Sequence, residues 1–306
     1  MNKPPRNTVK IDLVGGLGNQ LFGYVASLSY ALKFNCILIL DKSQIPLGLT
    51  NHGSNIESFQ LPYVDSIVFT EIGHVRQCLY RISNLLVIKN KLFRLFQRKI
   101  FRIYQATSTG YEETFLENKN LKFIKGYFQS YKYFQHVSVS GIELDFELKN
   151  ASEWYIVNKQ KILLDAPVVL HIRLGDYKLK NSPLGLLDLK YYSSAIKIQQ
   201  ERFPQKNFWI FSDDIDEARS ILEKLLPESS IFVSPPDNSD AAESLKLMSL
   251  GSAHIISNSS FSWWAAMLSS NPENVIAPSP WFRFEKEPLE LLNPKWNKLQ
   301  STWSDQ

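Results

Sequence analysis

His171, Ile172, Arg173, Leu174, Gly175 and Asp176 carry the densest chemistry of the chain, and they directly follow the apolar run Val168, Val169, Leu170. Such a run before a glycine-containing loop reads as a short buried strand. Its C-terminal end then presents an imidazole, a guanidinium and a carboxylate together. Ligands of open α/β sheets bind at that end of the strands. A guanidinium there can fork across two phosphate oxygens while a carboxylate holds it in place. The plain alternative is an ordinary strand end closed by a surface Arg–Asp pair.

Three more loops place polar groups at strand ends. Gly15-Gly16-Leu17-Gly18-Asn19-Gln20 follows an apolar run. As a dinucleotide fingerprint it is incomplete, because Leu21 stands where a third glycine belongs, although Asp41 falls where a ribose-binding acid would. The loop offers close backbone approach and two side-chain amides, which suit sugars or a nucleotide. Phe211-Ser212-Asp213-Asp214 follows a second run. One carboxylate there could accept two hydrogen bonds from a guanine edge; the alternative is an N-cap for the next helix. A metal site at this pair lacks a third ligand. Asn258-Ser259-Ser260-Phe261-Ser262 precedes Trp263 and Trp264. Hydroxyls and free N–H groups at a helix start suit a pyrophosphate, or serve as simple capping. The two tryptophans read as core. There is no Walker loop, Cys/His metal cluster, HExxH or GxSxG motif.

The elements that must position these loops are legible from periodicity. Val9 to Val14 reads as a strand, Asn19 to Lys33 as a helix, and Cys36 to Leu40 as a strand ending at Asp41. That is a β–turn–α–β unit of a doubly wound sheet. Gly126 to Ser130 reads as a strand end running into a loop. From residue 167 onward, strands at 167–172, 207–211, 230–233, 253–257 and 274–277 alternate with helices near 189–203, 215–225, 240–249 and 262–270. The charged stretch from Glu143 to Ala166 is the expected boundary between domains spanning 1–155 and 156–306. The tail from 282 is read as irregular and packing back over the molecule.

With 306 residues the chain exceeds the usual size of one core, so two domains are expected. Its 44% hydrophobic and 21% charged residues are an ordinary globular balance, and a net charge of +4 gives no argument for nucleic acid. Cys36 and Cys78 form neither a disulfide framework nor a metal spacing. No stretch reads as a signal peptide or membrane span, which gives a cytoplasmic expectation. Residues 76–104 hold eight basic side chains and no acid, interleaved with Leu, Ile and Phe. Read as an amphipathic helix, this segment would contact an anionic membrane peripherally or pack on its own domain.

The four loops, with one further motif, resemble the bacterial α-1,2-fucosyltransferases of glycosyltransferase family 11. The relevant stretches are GGLGNQLFGYVASLSYA (15–31), GYFQSYKYF (126–134), HIRLGDY (171–177), FSDDI (211–215) and LMSLGSAHIISNSSFSWWAAML (247–268). The resemblance implies an α/β, GT-B-like fold with two Rossmann-like domains facing a central cleft. It implies inverting, metal-free transfer of fucose from GDP-fucose to the 2-hydroxyl of a galactose-terminated glycan, as in O-antigen synthesis. Arg173 would contact the donor phosphate. His171 and Asp213 or Asp214 would serve the guanosine or the loop around it. Asn258, Ser259, Ser260, Phe261 and Ser262 would line the pyrophosphate. Gly16, Gly18, Asn19 and Gln20 would approach fucose or acceptor. Asp176 is either the general base or the group that orients Arg173. Leu174 stands where the family carries a second arginine, and the loop Ser182-Pro183-Leu184-Gly185 lacks a histidine found in relatives. A transferase using another GDP-sugar or linkage, and a non-catalytic sugar-nucleotide or glycan-binding protein, are the alternatives.

Overall fold

The computed structural model describes residues 7–43, 45, 56–68, 95, 97–178, 184–237 and 239–304. The chain divides into two compact units, Met1–Glu147 with Pro288–Leu291, and Leu148–Glu287 with Leu292–Gln306.

The first unit contains strands β1 (Asn7–Asp12), β2 (Cys36–Asp41), β3 (Val64–Val68), β4 (Ile103–Gln105) and β5 (Phe123–Lys125). They form one parallel sheet in the order β3-β2-β1-β5-β4. Helix α1 (Leu17–Phe34) joins β1 to β2. It is buried along most of its length, which its run of Leu, Phe, Val, Ala and small Ser side chains permits. Asn35, in the left-handed region at φ 52°, ends it. Helix α2 (Tyr131–Val139) follows β5, capped by Ser130, whose hydroxyl accepts the Lys132 N–H. The strand order reverses between β1 and β5, so the loops after these two strands flank the place where an open sheet takes a ligand.

The second unit opens with helix α3 (Glu153–Asp165). The expected boundary after residue 155 falls inside this helix, whereas the chain divides after Glu147. Strands β6 (Val168–Ile172), β7 (Phe208–Ser212), β8 (Ile231–Phe232), β9 (Ala253–Ile255), β10 (Val275–Ser279) and β11 (Asn297–Gln300) form a parallel sheet in the order β11-β10-β9-β6-β7-β8. Helices α4 (Leu189–Arg202), α5 (Ile215–Leu222), α6 (Ala241–Ser249) and α7 (Ser260–Met267) connect them. Counted from β6, this is the 3-2-1-4-5-6 order of a dinucleotide-binding sheet, and its direction reverses between β6 and β9. Every residue of β6 is buried because both faces of the sheet are covered. One face packs Val168, Leu170 and Ile172 against Tyr191, Tyr192 and Ile196 of α4. The other packs Val169, Trp209 and Phe211 against Leu247 and Met248 of α6.

The tail differs from its reading. Asn297–Gln300 pairs with β10 as an edge strand, and Pro288–Leu291 clusters with the first unit. The basic segment 76–104 lies mostly outside the described residues. Within it, Gln97–Phe101 forms a π-helical turn and Ile103–Gln105 is strand β4, so its end is not part of a continuing α-helix. Among the described residues no helix is long and apolar enough to cross a membrane.

Candidate functional site

Strands β9, β6 and β7 lie side by side, with Leu170 opposite Ile255 and Ile172 opposite Ser212. Their C-terminal ends therefore bring loops 173–176, 213–214 and 256–259 together at the reversal point. Arg173 is the first residue beyond β6. Its Nη1 lies 3.3 Å from Asp213 Oδ2, and its side chain stays 32% exposed. The other oxygen of Asp213 accepts the Leu174 N–H at 2.9 Å. One carboxylate thus fixes both the guanidinium and the backbone of its loop.

Gly175 makes this possible. A Cβ at that position would stand 2.3 Å from Asp213 Oδ2. Leu174 points the other way, 2% exposed in the core beside Leu187, Tyr191 and Tyr192. A side chain at 174 therefore faces the core in this chain. Asp214 accepts the Glu217 N–H and caps α5. Of the two aspartates, one caps and one braces the arginine.

The guanidinium also lies 5.7 Å from the Tyr177 ring centroid, and the Tyr177 hydroxyl donates to the Asn258 carbonyl at 3.1 Å. This links the arginine loop to the loop before α7. Asn258 Nδ2 donates to the carbonyls of Leu184 and Gly185, both at 3.0 Å, so its side chain positions a neighbouring loop. The Ser259 hydroxyl accepts the Phe261 N–H as the cap of α7. Ser262 is fully buried, and its hydroxyl donates to the carbonyls of Ser257 and Ser259. Ser260 and Phe261 are the half-exposed positions at this helix start. Trp263 and Trp264 are core, with ring centroids 4.9 Å apart.

His171 is buried, and its Nδ1 lies 2.8 Å from Ser257 Oγ. Burial, with Arg173 adding a like charge, pushes its pKa down to about 3. The ring is therefore neutral at physiological pH. It packs 5.9 Å from the Phe261 ring. Asp176 begins a single 3-10 turn, Asp176–Lys178, and its side chain lies outside those described. Among described side chains, Asp213 is a carboxylate paired with Arg173. Gly175 signalled a close approach to this backbone but not that Asp213 makes it.

In the first unit, the 15–20 loop sits at the start of α1. Gly15 takes φ 67°, Gly16 faces open space, and Gln20 Nε2 donates to the Gly15 carbonyl at 3.1 Å. Gly18 is buried within α1. Asp41 is engaged by Lys10 and by Ser43, whose N–H donates to it at 2.9 Å. That leaves its carboxylate committed to the protein, against a ribose-binding role. Among the described residues, no group of three His, Cys, Asp or Glu side chains could hold a metal ion.

Two α/β units, each built on a parallel sheet with a reversal of strand order, make a GT-B-like fold. The chain belongs to glycosyl transferase family 11, whose family model matches residues 81–300. It is 29% identical to an alpha-1,2-colitosyltransferase of Escherichia coli, covering 94% of this chain and 97% of that one. It is also 29% identical to the O-antigen biosynthesis glycosyltransferase WbnK of Escherichia coli, covering 88% and 93%. Among solved structures, a family 9 glycosyl transferase from Veillonella parvula shares the fold at a TM-score of 0.51 and 11% identity, over 96% of this chain and 86% of that one.

Proposed function

We propose that this glycosyltransferase moves L-fucose, with inversion, from GDP-β-L-fucose to the 2-hydroxyl of a β-galactoside during synthesis of a bacterial O-antigen. One observation carries the reading: Arg173, braced by Asp213, stands at the reversal of the second sheet, its loop tied through Tyr177 to Asn258 ahead of α7. As the fucose–phosphate bond breaks through an oxocarbenium-like state, negative charge develops on the leaving GDP. A forked guanidinium and the N–H groups at Ser260 and Phe261 are suited to meet that charge without a metal. The galactose 2-hydroxyl loses its proton in the same step, and Asp176 is the proposed base.

The names of the two relatives support an α-1,2 linkage and an O-antigen setting, respectively. The first also favours a second reading of the donor. Colitose is fucose without its 3-hydroxyl, so a GDP-linked 3-deoxy sugar would fit the same diphosphate contacts. Incubation with GDP-fucose or GDP-colitose and a panel of β-galactosides, with NMR of the product, tests both. The proposal expects GDP release and a new α-1,2 linkage. Absence of transfer with either donor contradicts it.

A further inference from the structure

The first unit carries a second built feature at its own reversal point. Gln129, after β5, donates from Nε2 to Asn19 Oδ1, at the start of α1, at 2.8 Å. This bond spans the two loops flanking the β1–β5 reversal. The 126–130 loop is shaped to deliver it. Gly126 sits at φ 146°, and a Cβ there would lie 2.4 Å from Ala106 Cβ. Phe128 takes the left-handed φ 56°, which a bulky residue adopts only when its surroundings impose it. They do: its ring is buried 5.0 Å from Phe115 and 5.7 Å from Tyr133. The Gln129 N–H donates to the Thr109 carbonyl at 2.5 Å, and the Ser130 hydroxyl donates to the Glu290 carbonyl at 2.7 Å.

The far end of Gln129 is not satisfied. Its Oε1 is buried with no hydrogen-bond partner. A buried orphan acceptor destabilises the fold, so glutamine is not the choice that stability alone would make here. Asn19 is half-exposed, and its amide lies across Gly15, where a Cβ would stand 2.7 Å from Nδ2. Beside it Gly16 faces open space.

We infer that Gln129 is a positioning residue for sugar transfer: by occupying Asn19 Oδ1 it turns Asn19 Nδ2 toward a saccharide hydroxyl at the first unit's reversal point. The hydroxyl belongs either to the transferred sugar or to the acceptor. This rests on the proposed transfer reaction and adds the residue that aims the first unit's polar side chain.

Gln129→Leu tests it, because leucine removes the aiming bond and the orphan together. The expected result is a kcat/KM lowered at least about tenfold with a Tm equal to or above wild type. Asn19→Ala should cost about as much, and the double variant little more than either single one. Acceptor-free hydrolysis of GDP-fucose separates the two sources. It falls with transfer if the hydroxyl is on the transferred sugar, and it stays unchanged while acceptor KM rises if it is on the acceptor. A Gln129→Leu protein with wild-type kcat/KM, additive single variants, or a Tm that falls with activity would overturn the inference. If the wild type transfers nothing, the functional reading fails by itself. Saturation-transfer NMR with lactose and with L-fucose then still decides the subsite: weaker signals in Gln129→Leu support it, and equal signals overturn it.

Discussion

Asp213 holds the arginine loop at two points, through an ion pair to Arg173 Nη1 at 3.3 Å and by accepting the N–H of the next residue, Leu174, at 2.9 Å. The arginine is therefore fixed before any ligand arrives, and preorganised charge is what stabilises a leaving group. Asp213→Asn keeps an acceptor for the Leu174 N–H but removes the ionic contact. It should lower kcat/KM by about 1.5–3 kcal/mol of transition-state stabilisation, the range for hydrogen bonds to charged groups. Steady-state kinetics should also show that Asp213→Asn adds little on top of Arg173→Ala. Additive losses would mean that the two side chains act separately.

Gly175→Ala is a second route to the same pair. The new methyl would stand 2.3 Å from Asp213 Oδ2 and must displace that carboxylate from the arginine. Activity should fall at least about tenfold, while Tm drops by only a few degrees, because a side-chain end moves and the core does not. Parallel measurement of both quantities is the check. Unchanged kinetics would show that Asp213 need not sit where it does.

The fold was largely legible, for reasons the residues make plain. Val168 to Ile172 is apolar throughout because a strand covered on both faces needs it to be. Gly15 marked the first turn because this strand-to-helix turn takes a φ of 67° there, which glycine adopts freely. Arg173 was legible by its place at a strand end. Its partner was not, because Asp213 lies forty residues away and becomes a neighbour only when β7 pairs with β6. The Gln129–Asn19 bond was hidden for the same reason, as it needs β5 beside β1. The edge strand Asn297–Gln300 escaped because its Asn-Lys-Leu-Gln sequence has no apolar run, and an edge strand requires none.

Buried histidines set an acid limit on stability. His254 is fully buried, its Nε2 donates to the Met248 carbonyl at 2.8 Å, and burial lowers its pKa to about 4. His171 is lowered to about 3. The unfolded chain takes up these protons near pH 6.5 and the native one does not, so stability is present above about pH 6.5 and is lost as pH falls toward 4. His254→Gln should reduce the slope of unfolding free energy between about pH 5 and 6 by about 1 kcal/mol per pH unit. Urea titrations across this range measure it. An unchanged slope would mean that the native protein protonates His254 readily.

Transfer should be indifferent to chelation. Asp213 and Asp214 are occupied by Arg173 with the Leu174 N–H and by the Glu217 N–H, respectively, rather than gathered around a vacant point. Turnover in EDTA should match turnover in Mg²⁺ or Mn²⁺. Loss in EDTA with recovery on adding either ion would make the diphosphate site a metal site.

The most direct test is the turnover of GDP-fucose by Arg173→Ala with a β-galactoside acceptor, compared with wild type. Arg173 is 32% exposed at a strand end, so the variant should fold with a near-native Tm. Its kcat/KM should fall about a hundredfold or more, the equivalent of at least about 3 kcal/mol, and Arg173→Lys should recover little because an ammonium cannot fork across two phosphate oxygens. A folded Arg173→Ala protein that turns over GDP-fucose at a near-wild-type rate would show that this loop does not hold the donor.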